Sequence, residues 1–173
     1  MDSLLGELKL ALESAVQGMS EEQMKWHPPD KWCAAEVLEH LYLTYTGTVK
    51  GFERLLDAGK PITARASMRQ RGRAFVVLGF GYLPSGRKAP KQTVPRGLAV
   101  EKVRAEVGLK IAAMDEIIAQ CEARFGRGKV LDHPILGPLT AAQWRKFHLI
   151  HGRHHVKQIE RLLRQARHEG TLC

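Results

Sequence analysis

The chain has 173 residues, 44% of them hydrophobic and only 6% aromatic, which suffices for one compact domain and suits helices better than sheets. No stretch approaches the ~20 apolar residues needed to cross a bilayer, and no signal-peptide core follows the first residue. The formal net charge is +9, and the three cysteines form no CxxC pair, so we expect one cytoplasmic domain over residues 1–173 with reduced thiols.

The first half of the chain predicts two long helices separated by a short turn. A helix over residues 3–18, capped by Asp2 or Ser3, would bury the stripe Leu4, Leu5, Leu8, Leu10, Leu12 and Val16. The segment 20–23 has the spacing of a capping box and predicts a short helical turn before the two prolines at 28–29. A second long helix is predicted over 34–58, ending at Gly59.

A long irregular crossover then separates the second and third long helices. Residues 60–96 hold nine Lys or Arg and no Asp or Glu, a surplus equal to the whole net charge. Such a segment could attract an anionic substrate, a nucleic acid or an acidic partner, or could simply be a solvated basic loop. Within it, residues 66–83 could form a short helix, since Met68, Phe75, Leu78 and several neighbouring apolar residues would need burial.

The second half predicts two more long helices. The third covers 99–125, a glycine- and proline-rich loop follows it, and a capping box at 140–143 starts the fourth, which continues to residue 168. Four amphipathic helices with one extended basic crossover between the second and third predict an all-α four-helix bundle.

Three histidines carry most of the functional information. His151 and His155 are four residues apart on the predicted inner face of the last helix, so their two imidazoles can coordinate one metal ion. His40 lies beside the buried stripe of the second long helix and could complete a three-nitrogen site with open coordination positions. The alternative is that each is a core histidine with one hydrogen bond, but burying several imidazoles without a metal requires many partners.

Further residues of the last helix could support this site. His148, one turn before His151, could be a fourth ligand, a proton carrier or a packing residue. His154 points about a quarter turn away and is expected in the surroundings of the site or on the surface. Gln158 follows His155 by three residues and could hydrogen-bond that imidazole. Gly152, which lacks a side chain, would let a neighbouring element approach closely.

Outside the last helix, Glu36 precedes His40 by one turn and could orient its ring, although a solvent-exposed glutamate is the simpler interpretation. His133, which precedes a proline, is interpreted as a loop residue. The sequence contains no HExxH, GxSxG or P-loop motif, and no paired Glu-x-x-His pattern of a ferritin-like diiron site.

The segments 31–41, 133–140 and 144–158 together resemble the DinB/YfiT-like superfamily of metalloenzymes. That resemblance, which spans nearly the whole chain in element order, implies a four-helix bundle with a divalent metal, often zinc or nickel, held by His40, His151 and His155. Relatives in that superfamily include thiol-dependent S-transferases and a mycothiol-dependent maleylpyruvate isomerase, and they are frequently homodimers. Cys33 departs from the serine common at that helix start, and because a thiol caps poorly, we expect a frayed helix entry or a separate role for the thiol.

Two functions from different classes follow. The first is a metal-dependent enzyme, a thiol S-transferase or a hydrolase, acting on a small anionic molecule, with a low-molecular-weight thiol as a candidate cosubstrate and His148 as a candidate proton carrier. The second is a non-catalytic helical module whose segment 60–96 binds nucleic acid or an acidic partner. The first is favoured because three histidines share one predicted interior.

Overall fold

The computed structural model describes residues 4–83 and 88–168, and these are mostly helical, with 70% helix and little strand. The helices are α1 (Leu4–Val16), α2 (Glu21–Lys25), α3 (Ala34–Ala58), α4 (Met68–Ala74), α5 (Val100–Phe125) and α6 (Ala141–His168). A π-helical turn (Phe75–Gly79) follows α4, and a 3-10 turn (Lys91–Thr93) lies before α5. Two short strands, β1 (Leu131–His133) and β2 (Gly137–Leu139), precede α6. The all-α prediction is confirmed at this level, with the long helices close to their predicted bounds.

Capping boxes start several of these helices. In each, the side chain of the first residue accepts a hydrogen bond from the backbone N–H three residues on. The side chain of that later residue accepts a hydrogen bond from the backbone N–H of the first. The boxes predicted at Ser20 and Thr140 are both present. At the start of α3, Cys33 Sγ accepts from the Glu36 backbone N–H at 3.5 Å, so the thiol does serve as a cap.

The core lies where the long helices meet. Helix α3 packs along α5, α1 packs on α6 and α5, and α6 also contacts α3 and α5. In the predicted α1 stripe, Leu5, Leu8 and Leu12 are buried, whereas Leu4 and Leu10 are exposed, which corrects the prediction for those two. The largest fully buried side chains are Tyr45, Phe52, Leu5, Leu8, Leu12, Met24, Leu38, Leu41, Leu55, Ile111, Met114 and Ile118.

Gly152 permits the close approach of α1 and α3 to α6, as its lack of a side chain predicted. A Cβ atom built at this position would lie 2.4 Å from a methyl carbon of Leu8 and 2.9 Å from the Tyr45 hydroxyl oxygen. Both of those side chains are buried and have little room to move. Gly47, on the exposed side of α3, has no such neighbour within 4 Å.

These two glycines make a matched pair for a stability test. We expect Gly152→Ala to lower the free energy of unfolding by about 1–3 kcal/mol, because the overpacked methyl group outweighs the better helix propensity of alanine. Gly47→Ala should instead raise it by up to about 1 kcal/mol. Urea denaturation of both variants measures the difference. Equal effects would show that the α1–α6 contact is loose at this point.

The crossover between α3 and α5 buries fewer apolar residues than predicted. Of its helical part, Val77 and Leu78 are buried, whereas Met68, Phe75 and Val76 are 79%, 67% and 38% exposed. The reason is that α4 and the π-helical turn lie over the outside of the fold and contact α6 and β2 along one edge only. Periodicity alone does not show how much of a short helix is covered.

The loop before α6 contains a small antiparallel hairpin that the sequence interpretation missed. Leu131 pairs with Leu139 and His133 pairs with Gly137, and an isolated parallel bridge joins Ile62 to Leu131. Gly137 has φ +74°, a left-handed conformation that favours glycine at this turn. The hairpin brings His133 into the interior, where 8% of the residue is exposed.

The predicted caps Asp2 and Ser3, residues 84–87 of the basic crossover and the last of the three cysteines, Cys173, lie outside the described residues. Among the helices described, none is long and apolar enough to cross a membrane.

Candidate metal centre

Three histidine side chains from two helices converge on one point. His40 lies on the second turn of α3, and His151 and His155 lie one turn apart on α6. The Nε2 atom of His151 is 3.3 Å from Nε2 of His40 and 3.2 Å from Nε2 of His155. One ligand atom from each ring lies within 4.8 Å of the other two. The three residues predicted from spacing are therefore brought together, and the cluster could hold a metal ion.

Two of the three nitrogen separations match those of a tetrahedral metal site. Zinc–nitrogen bonds of about 2.0–2.1 Å at tetrahedral angles place two ligand nitrogens about 3.3–3.4 Å apart. The two separations at His151 differ from this by about 0.2 Å or less. Two pairs of these nitrogens thus have the spacing expected around one ion, and three imidazoles on a tetrahedral ion would leave a fourth position for water or substrate.

The outer ring nitrogens of two ligands are held by hydrogen bonds. His40 Nδ1 donates to the backbone carbonyl of Thr93 at 2.8 Å, and His155 Nδ1 donates to the Gln158 side-chain oxygen at 2.9 Å. A carbonyl only accepts, so the proton of neutral His40 lies on Nδ1 and the lone pair on Nε2 faces the cluster. The predicted hydrogen bond between Gln158 and His155 is confirmed, and both acceptors fix a tautomer that can bind metal.

Burial keeps these imidazoles neutral. Loss of solvation lowers the pKa of His40 and brings the pKa of His155 to about 3. The pKa of His151 is well below its usual value, first through burial and then through the proximity of the other two rings. Neutral imidazole is the form that ligates a metal, so at neutral pH little proton release is needed for binding.

Aromatic rings enclose the cluster on two sides. The Trp32 ring lies 5.3 Å from the His40 ring, and Phe147 stacks on His151 with centroids 5.3 Å apart and planes 18° apart. His40 and His155 are buried, and His151 is partly buried as a residue, with its Nδ1 atom shielded from solvent. The Nδ1 atom of His151 has no hydrogen-bond partner among the described residues.

A buried carboxylate anchors the segment that carries Thr93. Glu39, with 3% of its surface exposed, accepts backbone N–H bonds from Arg96 at 2.7 Å and from Gly97 and Leu98 at 3.1 Å each. These bonds tie the end of the crossover to α3 beside His40. The sequence interpretation missed Glu39, because a glutamate in a helix ordinarily signals an exposed face.

Removing this carboxylate should cost stability. We expect Glu39→Ala to lower the free energy of unfolding by about 3 kcal/mol or more, since three backbone N–H groups lose a charged acceptor. Glu53→Ala, an exposed glutamate on the same helix, should change it by less than about 0.5 kcal/mol. Urea denaturation compares the two. A loss below 1 kcal/mol in Glu39→Ala would mean that water replaces the carboxylate.

His148 does not join the cluster. Its ring is fully buried between Trp144 and Tyr45, and its Nε2 bonds the Thr48 hydroxyl at 3.1 Å. Burial lowers its pKa to about 3. Among the described residues its Nδ1 has no hydrogen-bond partner that could pass on a proton. The surroundings of His148 therefore favour a role in packing over a role as a proton carrier.

Other predicted roles change in the structure. The Glu36 carboxylate bonds the backbone N–H of Cys33 at 2.8 Å, so it completes a helix cap and does not orient His40. His154 is half-buried, with its ring centroid 5.2 Å from that of His155. His133 is no simple loop residue, since its Nδ1 accepts two backbone N–H bonds from Ile135 and Leu136 and its ring packs on Trp144 and Phe147.

Fold and site together define a mostly helical protein with an interior cluster of three histidines able to hold a metal ion. The chain belongs to the family described as "Protein of unknown function (DUF1569)", whose model matches residues 6–162. That match includes all three histidines. No curated protein and no solved structure matches the chain.

Proposed function

We propose that the chain is a divalent-metal-dependent enzyme of the DinB/YfiT-like type, built as a four-helix bundle and acting on a small molecule. The observation that carries the proposal is the convergence of the Nε2 atoms of His40, His151 and His155. The hydrogen bonds that hold two outer nitrogens add support, because such bonds orient ligand imidazoles in metal sites.

Zinc or nickel, the ions we propose, would supply a Lewis acid that also lowers the pKa of a bound water or thiol. The chain's own part is to hold three neutral imidazoles in place and to exclude water with Trp32 and Phe147. The basic crossover contacts His40 through the Thr93 carbonyl, and its positive net charge would attract an anionic substrate. We propose a thiol S-transferase or a hydrolase, in a homodimer, with a low-molecular-weight thiol as cosubstrate for the transferase.

Elemental analysis of the purified protein tests the metal directly. We expect about one divalent ion per chain, or its uptake after chelator treatment and addition of zinc or nickel. Zinc at about 1,000 times its Kd should stabilise the fold by about 4 kcal/mol, visible as a higher Tm. A protein that neither carries nor retains an ion would remove the basis of the proposal.

The competing function is nucleic-acid binding by the segment 60–96, which the exposed rings of Phe75 and Phe80 among arginines favour. It predicts binding that weakens steeply with salt and survives in His40→Ala and His155→Ala. A gel shift with single-stranded DNA at two salt concentrations separates the two functions. Loss of enzymatic activity in those two variants, together with the absence of a gel shift in the wild type, favours the enzyme.

A further inference from the structure

An open cleft of about 710 Å³ lies on the surface between the crossover and the start of α6. Three basic side chains from separate elements line it: Arg71 of α4, Lys129 of the loop before β1, and Lys146 of α6. No Asp or Glu lines the cleft, and within residues 4–83 and 88–168 none of these three cations forms an ion pair. Among the described residues, no carboxylate therefore pairs directly with the positive charges of the cleft.

The same cleft has an apolar wall. Phe75, Leu78 and Leu136 line it, and Phe75 provides most of the exposed apolar surface, because Leu78 and Leu136 are core residues that are only 8% and 3% exposed. Phe75 is 67% exposed, an unusual position for a phenylalanine unless something covers it. A ligand that enters the cleft thus meets hydrocarbon and positive charge together, which is the arrangement of sites for amphipathic anions.

The walls of the cleft are held by contacts across it. A Cβ atom at Gly137 would lie 3.2 Å from the Gln70 side chain, so the hairpin and α4 are in close contact. Lys129 donates a hydrogen bond to the Gln143 side chain, which fixes the cation beside α6. Phe75 and Leu78 belong to the π-helical turn, a rare element that is frequently found at functional sites.

We propose that this cleft binds a small organic anion with an apolar body, such as a carboxylate on a short hydrocarbon chain. The three cations meet the charged group, and the wall of Phe75, Leu78 and Leu136 covers the hydrocarbon. None of His40, His151 and His155 lines the cleft, so this site is separate from the metal centre and does not depend on the proposed function.

The shape of the cleft favours a small molecule over a polyanion. Its cations face one shared space from three elements, whereas a nucleic acid is followed by charges spread along a groove. Inorganic phosphate would use the charges but leave the apolar wall in water. An uncharged alcohol would use the wall but leave the cations without a partner. A ligand needs both properties to use the whole site.

Sodium octanoate, 1-octanol and inorganic phosphate are the probes for a titration of metal-free protein, followed by amide chemical shifts in nuclear magnetic resonance. We expect octanoate to give saturable shifts at Leu78, Gly79 and Leu136, with an affinity at least about tenfold above that of either comparison compound. No saturation by octanoate, or equal binding of octanol, would overturn the proposal. Tighter binding of single-stranded DNA with the same shifts would also overturn it, in favour of a nucleic-acid surface.

Substitutions of single cations then test which positive side chains contact the bound anion. Lys146 and Arg71 are exposed, so Lys146→Gln and Arg71→Gln should fold normally and weaken octanoate binding by roughly tenfold each. Lys102→Gln removes one exposed positive charge from α5, which does not line the cleft, and should leave the affinity within about twofold. Equal losses in all three variants would show that net charge alone attracts the anion, which contradicts a built site.

Discussion

Zinc affinity is expected to fall by more than about a hundredfold when His151 is replaced by alanine. Loss of a residue that merely hydrogen-bonds a ligand typically costs 10–100-fold, so loss of a ligand should cost more. His151 is the central residue of the cluster, because its Nε2 atom lies within 3.3 Å of the Nε2 atoms of both His40 and His155. Competition with a chromophoric chelator measures the affinity, and circular dichroism shows whether the variant remains folded.

His154→Ala is the matched control for His151→Ala. It removes the same side chain from the same helix, but His154 does not belong to the cluster, so we expect a change of less than about threefold. His40→Ala tests the other helix and should lose affinity as His151→Ala does. Equal affinities in the wild type and His151→Ala, or equal losses in His154→Ala and His151→Ala, would contradict a site shared by α3 and α6.

Local signals explain why much of this fold was predictable from sequence. Capping boxes at Ser20 and Thr140 involve residues three apart, and the spacing of His151 and His155 needs only the pitch of one helix. The end of α3 follows from Gly59, which takes φ +66°. Each of these features depends on a few neighbouring residues.

Contacts between distant residues account for what the sequence did not show. The bond from His40 to the carbonyl of Thr93 joins positions 53 apart, and any residue has that carbonyl, so no side-chain signal exists. Glu39 was missed because its partners are backbone N–H groups of the crossover. The exposure of Phe75 depends on which neighbours cover a short helix, and hydrophobicity alone predicts the opposite.

Helix α6 links both proposed sites. Lys146 lines the cleft between the crossover and the start of α6, and the next residue, Phe147, stacks on His151 in the histidine cluster. His133, on the hairpin, also packs on Phe147 and Trp144. The hairpin and the first turns of α6 therefore support both sites. The stability of a His133 variant should be measured before any change in ligand or metal binding is assigned to either site.

Acid is expected to destabilise the metal-free protein by about 4 kcal/mol between pH ~7 and pH ~5 through His133 and His148 alone. Burial lowers their pKa values from 6.5 to about 4 and about 3, so below pH ~6.5 the unfolded chain binds more protons than the folded one. Each group then costs about 2 kcal/mol at pH ~5, whereas above pH ~7 this penalty vanishes. Urea denaturation across this range, after chelator treatment, measures the loss.

The variant His148→Gln isolates one of these contributions. It should be less stable than the wild type at pH ~7, because the bond to Thr48 is altered, but its further loss on acidification should be smaller by about 2 kcal/mol. His27→Gln, a change at an exposed histidine, should keep the wild-type dependence on pH. An unchanged slope in His148→Gln would mean that this ring already binds a proton in the folded protein, which would contradict its burial as a neutral imidazole.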